Sequence, residues 1–163
     1  MRKTQNLSER ILPREEVPLE ERRIRLKSKT IAFTNGVFDI LHEGHIALLS
    51  QAATFADVLI VGINSDDSVK RLKGETRPVN GQDSRALVIS SLVMVDYVVI
   101  FDEDTPLELI KILKPDVLIK GGDYTMENIV GAKETNTVGG KVEIISLVKG
   151  FSTTAIIEKM KTG

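Results

Sequence analysis

Short apolar runs recur along this chain with a spacing that a sheet with helical crossovers can use. Ile31-Ala32-Phe33 is the first, Val58-Leu59-Ile60-Val61-Gly62-Ile63 the second, Tyr97-Val98-Val99-Ile100 the third and Val117-Leu118-Ile119 the fourth. Val142-Glu143-Ile144-Ile145 is a weaker fifth. Runs this continuous and β-branched suit strands buried on both faces, as in a parallel sheet. Helical periodicity fills the gaps. Residues 44–55 carry Ile46, Leu48, Leu49 and Ala52 on one side, and residues 83–95 carry Leu87, Val88, Leu92 and Val93. Residues 105–113 open on Thr105-Pro106, a cap followed by proline, and residues 152–160 end the pattern with Ile156, Ile157 and Met160. Parallel neighbours need crossovers, so the expected architecture is α/β: a Rossmann-like three-layer fold around a five-stranded parallel sheet. Ligands of such sheets bind outside the carboxyl ends of the strands. Chemistry-bearing segments should therefore follow the apolar runs directly.

Composition narrows the partners. The 163 residues suit one domain with a real core, and aromatics at 4% make that core aliphatic. A formal net charge of -1, from 22 Lys+Arg and 23 Asp+Glu, carries no global footprint for nucleic acid or an anionic membrane. Any phosphate site must be local. The absence of cysteine excludes disulfides, thiolate metal sites and a thiol nucleophile. The apolar runs are too short to span a bilayer, and the N-terminus lacks a secretory h-region, so a cytoplasmic location is expected. Residues 1–28 differ from the rest, being rich in Arg and Glu and holding Pro13 and Pro18. They suggest a mobile or loosely docked arm with a short helix near 19–27, ahead of a domain over 29–163.

Four segments follow the apolar runs. Thr34-Asn35-Gly36-Val37-Phe38-Asp39-Ile40-Leu41-His42-Glu43-Gly44-His45 leaves the first strand, enters a helix and holds both histidines of the chain. Three positions apart in the first helical turn, the imidazoles can face one point beside the free N–H groups of the helix start. Each can donate to a phosphate oxygen and stabilise charge on a phosphorane-like transition state. Gly36 permits close backbone approach, and Gly44 leaves room for a nucleotide. Zinc is disfavoured, because no further His or Cys exists to complete a usual site.

The second segment runs from Asn64-Ser65-Asp66, a turn and helix cap, into a loop with Lys70, Arg71, Lys73 and Arg77. This local basic cluster in a neutral chain can hold phosphates. Arg85, in the first turn of the next helix, opposes the helix dipole and so calls for a phosphate or carboxylate partner. The third segment is Lys120-Gly121-Gly122-Asp123-Tyr124, where two glycines let backbone approach a flat ligand. The fourth, Gly150-Phe151-Ser152-Thr153-Thr154, opens the last helix with hydroxyls and forms another anion seat.

In order and placement, Thr34-Asn35-Gly36-x-Phe38-Asp39-x-x-His42-x-Gly44-His45, then Gly121-Gly122-Asp123-Tyr124, then Ser152-Thr153-Thr154 resemble the cytidylyltransferase-like nucleotidyltransferase superfamily of the HxGH type over roughly residues 29–160. Arg71-Leu72-Lys73-Gly74, Arg77-Pro78-Val79-Asn80, Val95-Asp96 and Glu103-Asp104-Thr105-Pro106 further resemble the adenylyltransferase half of bifunctional heptose kinase/adenylyltransferases. These 163 residues are too short to hold the kinase half as well. The resemblance implies ATP and D-glycero-β-D-manno-heptose 1-phosphate as substrates, ADP-heptose and pyrophosphate as products, magnesium entering with ATP, and a homodimer. It implies chemistry at His42, His45 and Lys73. It implies a nucleotide pocket from Thr34, Asn35, Gly36, Phe38, Asp39, Gly44, Gly122, Asp123, Ser152, Thr153 and Thr154. Phosphate or substrate contacts fall to Asn64, Asp66, Lys70, Arg77 and Arg85. Two departures stand out. Ile157 occupies a position where the superfamily's last motif often has Arg or Lys. The stretch Ser146-Leu147-Val148-Lys149 lacks the Arg common in glycerol-phosphate cytidylyltransferases, the rival reading.

Overall fold

The computed structural model of the protein describes residues 6–122, 124–146 and 153–162. Its centre is one parallel sheet. The strands are β1 (Ile11–Leu12), β2 (Ile31–Gly36), β3 (Val58–Asn64), β4 (Tyr97–Phe101), β5 (Val117–Gly121) and β6 (Lys141–Ile145), in the spatial order β1-β4-β3-β2-β5-β6. Every pairing is parallel. The chain starts its main sheet in the middle, at β2, and winds outward through β3 and β4. It then crosses back to lay β5 against the other side of β2. The strand order therefore reverses between β2 and β5, and a crevice opens at the carboxyl ends of that pair.

The helices are α1 (Val17–Leu26), α2 (Glu43–Ala52), α3 (Asp66–Lys73), α4 (Gln82–Ser90), α5 (Leu107–Leu113), α6 (Ala132–Thr137) and α7 (Thr153–Thr162). Side chains alternate across each strand, so the aliphatic runs feed two separate cores. Ile31, Phe33, Ile60, Val99 and Leu118 pack with Val17 and Ile24 of α1 and with Leu109, Ile110 and Leu113 of α5. Ala32, Leu59, Val61, Val98 and Ile119 pack with Leu48 and Leu49 of α2 and with Ala86 and Ile89 of α4. That is the three-layer arrangement expected. Each fully buried Ile, Leu or Val contributes about 1.5–3 kcal/mol, and no aromatic-rich core is needed.

The sheet has six strands, not five. The extra one, β1, comes from the segment expected to be a loosely docked arm. Ile11 and Leu12 pair with Val98 and Val99 and extend the sheet beyond β4. Two residues flanked by charge are too short to show a strand period. Several contacts bind this segment to the domain. Arg10 donates to the carbonyls of Ser90 and Val95, both at 3.1 Å. Val17 and Ile24 are buried. Arg25 bridges Asp116 at 2.5 Å and the Lys114 carbonyl at 2.7 Å.

A second correction concerns the basic segment after β3. Lys70, Arg71 and Lys73 lie on helix α3 rather than in a loop. The Ser65 hydroxyl caps that helix by accepting from the Ser68 amide at 3.0 Å, and Val69 anchors its inner face. Helix α4 also ends earlier than its apolar pattern, at Ser90. The hydroxyls of Ser90 and Ser91 bond back to Leu87 and Val88 carbonyls, and the chain turns toward β4.

Candidate functional site

Thr34, Asn35 and Gly36 end β2 at the β2–β5 crevice, as the strand order requires. The chain then turns through Phe38, whose φ of 49° lies in the left-handed region. The Phe38 ring is buried and closes over Gly36. A Cβ at Gly36 would come within 3.0 Å of that ring, so glycine is the residue that lets the turn fold this tightly.

His42 is the N-cap residue of α2, with φ -145° and ψ 170°. Its carbonyl accepts from the His45 amide at 2.9 Å and starts the helix. This geometry swings both imidazoles to one side. The rings stack with centroids 3.8 Å apart and planes 20° from parallel. Phe38 backs His45 at 5.1 Å in a tilted contact. Burial, and then the neighbouring His42, push the His45 imidazole down to about 4. Burial also lowers His42. The pair is therefore neutral at physiological pH, and two protonated rings in stacking contact would repel. His45 Nδ1 is buried with no hydrogen-bond partner among the described residues, and so is Thr34 Oγ1. Buried polar atoms are ordinarily satisfied, so two orphans at this corner make it a candidate ligand site.

Across the crevice, Lys120 at the end of β5 donates to Asn35 Oδ1 at 2.5 Å. Burial pushes its ammonium down to about 8. Lys120 was part of a singled-out segment but had no role of its own in the sequence. Its signal was there: a lysine closing an aliphatic strand directly before two glycines. Gly122, with φ 127°, donates its amide to the Ile145 carbonyl at 3.0 Å and ties the turn to β6. Thr153, at the start of α7, donates to the Ile40 carbonyl at 3.3 Å. This contact brings α7 against the loop that delivers the histidines. Thr154 is exposed. Asp123 and Ser152 lie outside the described residues.

Other candidates stand apart from this corner in their bonding. The Asp39 carboxylate accepts from Arg77 Nε at 2.7 Å and from the Val79 and Asn80 amides at 2.9 Å. These bonds hold it below its ordinary value against the opposing effect of burial. Arg85 is fully buried and donates to the Val37 carbonyl at 2.7 Å, the Asn80 carbonyl at 2.9 Å and Asp66 at 2.7 Å. The carboxylate partner its helix position called for is Asp66 of this chain. Asn64 is buried and donates to the Ser68 hydroxyl at 3.0 Å. These side chains fasten β2, α3 and α4 together. Arg71 reaches Asp104 at 2.7 Å, and Lys70 lies 3.5 Å from Asp67. Lys73, in the last turn of α3, is exposed with no partner among the described residues.

The family model described as Cytidylyltransferase-like matches residues 33–159, from within β2 into α7. This chain belongs to that family. Among curated relatives it is 55% identical over 139 residues to the bifunctional protein HldE of Geotalea uraniireducens, covering 85% of this chain. It is 58% identical over 138 residues to the bifunctional protein HldE of Paramagnetospirillum magneticum, again covering 85% of this chain. In both cases the match spans only 28% of the relative's length. Among solved structures, the lipopolysaccharide core biosynthesis protein of Thermoplasma volcanium is 30% identical with a TM-score of 0.59. That match covers 76% of this chain and 99% of the other.

Proposed function

We propose that this chain transfers the adenylyl group of ATP to D-glycero-β-D-manno-heptose 1-phosphate, forming ADP-heptose and pyrophosphate for lipopolysaccharide precursors. The observation that carries the transfer chemistry is the stacked, neutral His42–His45 pair at the start of α2, beside the strand-order reversal. The acceptor comes from likeness: over 50% identity to bifunctional HldE proteins, and a solved relative described as a lipopolysaccharide core biosynthesis protein.

A sugar phosphate is already an anion at neutral pH, so no enzyme nucleophile is required. One of its oxygens attacks the α-phosphorus of ATP in line, that P–O bond forms, and the bond to pyrophosphate breaks. The protein's contribution is positioning and charge stabilisation. Neutral imidazoles donate N–H to non-bridging oxygens, and the free amides of the α2 N-terminus add their partial charge. Thr34 supplies a hydroxyl that otherwise has no partner, and Gly36 and Gly44 keep the approach clear. Lys73 supplies a mobile cation for the departing pyrophosphate or the sugar phosphate.

No group of three or more His, Cys, Asp or Glu that could hold a metal occurs among the described residues. The nearby Asp39 carboxylate is held by Arg77 and two amides. Magnesium would enter this site with the triphosphate of ATP. It would neutralise charge on the leaving group.

The test is pyrophosphate release with ATP against CTP across heptose 1-phosphate, glycerol 3-phosphate and other sugar 1-phosphates. ATP with heptose 1-phosphate should give the highest kcat/KM. A preference for CTP with glycerol 3-phosphate would replace this proposal with the cytidylyl reading.

A further inference from the structure

Lys120 is a cation placed where a cation is costly. It closes β5, on the same face of that strand as buried Leu118, and its ammonium reaches across to Asn35 at the end of β2. An ammonium has three N–H donors. One is taken by Asn35 Oδ1 at 2.5 Å, and no carboxylate pairs with Lys120 among the described residues. Four arginines of the molecule have found carboxylates. Arg85 has Asp66, Arg77 has Asp39, Arg25 has Asp116 and Arg71 has Asp104. With 23 acidic residues for 22 basic ones, carboxylates are not scarce.

A half-buried ammonium resting on a neutral amide keeps most of its desolvation penalty uncompensated. The depression of its titration toward about 8, caused by burial alone, is the expression of that penalty. A structural role would be met as well or better by an apolar side chain of the same length. What an apolar chain could not do is meet an anion entering the crevice between β2 and β5.

We propose that Lys120 is a phosphate-gripping residue of the site: moored on Asn35 at the β2–β5 crevice, its ammonium takes an oxygen of a phosphate brought in by one of the two substrates. This rests on the nucleotidyl-transfer reading above. Asn35 shares its strand face with Ile31 and Phe33, on the α1–α5 side, whereas the histidines arrive through α2 on the other side. The crevice is thus lined by imidazoles from one layer and an ammonium from the other. A phosphate group seated between them is held from both. Asn35 acts as the mooring that keeps the flexible lysine stem aimed at the crevice before the substrate arrives, which lowers the entropy lost on binding.

Lys120→Met keeps the stem and deletes the charge. Three measurements on the purified full chain decide the matter: the thermal midpoint without ligand, the calorimetric Kd for ATP–magnesium, and steady-state KM and kcat for each substrate by pyrophosphate release. The expected result is an unchanged or higher midpoint, with affinity for one substrate weakened roughly 10- to 100-fold. A raised ATP Kd assigns the gripped phosphate to the nucleotide. An unchanged ATP Kd with a raised KM for the sugar phosphate assigns it to the acceptor. Lys120→Arg should recover part of the loss. ATP Kd and both kcat/KM values within about threefold of wild type would overturn the proposal. Should the methionine chain fail to fold, Lys120→Gln, which retains a donor for Asn35, carries the same comparison. If wild type turns over no acceptor, the transfer reading fails separately, and Lys120 is then judged by the effect of Lys120→Met on the affinities for ATP–magnesium and for inorganic phosphate.

Discussion

Arg85 and Lys120 are both drawn into the interior near the carboxyl edge of one sheet, and they are in opposite states. Arg85 is fully enclosed and directs its guanidinium at two carbonyls and one carboxylate. Around it, Asp39, Arg77, Asn80 and Asp66 also have partners. Among the described residues Lys120 has one neutral acceptor, and two buried polar atoms at the same crevice, His45 Nδ1 and Thr34 Oγ1, have no partner. A charge-balanced domain can satisfy its own polar groups, and in the β3–α3–α4 region it does. Of the buried atoms left without a partner among the described residues, His45 Nδ1 and Thr34 Oγ1 lie at the β2–β5 crevice, whereas Arg14 Nη1 and Thr135 Oγ1 stand apart from it. That contrast separates scaffold from site more sharply than residue type, since both regions contain the arginines, lysines and aspartates expected of a phosphate site.

The contrast breaks most visibly at Arg85. Arg85→Met removes the guanidinium but keeps much of the buried stem. It leaves the Asp66 carboxylate and the Val37 and Asn80 carbonyls without their donor. Removing a fully buried guanidinium from two carbonyls and a partly exposed carboxylate costs about 3 kcal/mol. For a domain of this size that lowers Tm by roughly 6–12 °C. A midpoint within a degree of wild type would show that Arg85 is not a clamp and would return it to the ligand side of the comparison. Substrate KM values in folded protein should barely move.

The mirror-image result is expected at the histidine corner. His45→Ala removes transition-state stabilisation of roughly 3 kcal/mol, about a hundredfold in turnover. Its effect on Tm should be smaller than that of Arg85→Met, because His45 Nδ1 satisfies nothing in the fold. Turnover near that of wild type would exclude the stacked pair from the chemistry.

Much of this was legible in the sequence, for physical reasons that differ by region. The aliphatic runs of β2 to β5 are long enough, and buried enough, for composition and period to reveal them. The motif from Thr34 to His45 could be placed at a helix start because His42-Glu43-Gly44-His45 follows a strand so closely. Strand β1 was not legible, since two residues carry no period and Ile11-Leu12 sits between Arg10 and Pro13. Helix α3 was obscured by its own charge: Asp66, Asp67, Lys70, Arg71 and Lys73 look like a solvated loop unless the Ser65 cap and the single anchor Val69 are weighed together. The division of labour among charged residues was hidden for a different reason. Whether Asp39 faces Arg77 or a nucleotide, and whether Lys120 meets an acid or an amide, depends on strand order. The sequence shows β2 and β5 but not that they lie side by side. Only once that neighbour is known does Lys120 become a candidate.

The effect that emerges only on acidification, and the one that tests both regions in a single experiment, is the pH dependence of stability. His45 is held far below its ordinary value of 6.5, at about 4, so the fold favours the neutral ring. Between those values the unfolded chain binds a proton that the folded chain refuses. Stability from this group is therefore complete above about pH 6.5 and declines as pH falls toward 4. Asp39 is lowered from its ordinary 3.8 by its amide and Arg77 bonds, so the fold favours the carboxylate. Its contribution is intact above that value and declines only below it. The site corner should thus weaken first on acidification and the clamp region later. Denaturant midpoints taken from neutral pH downward should fall less steeply in His45→Ala than in wild type between pH 6.5 and 4. Asp39→Asn should flatten the curve only below about 3.8. Parallel curves for wild type and His45→Ala across the upper window would mean that the imidazole gains a proton as easily folded as unfolded. The enclosed, neutral pair on which the transfer chemistry rests would then be wrong.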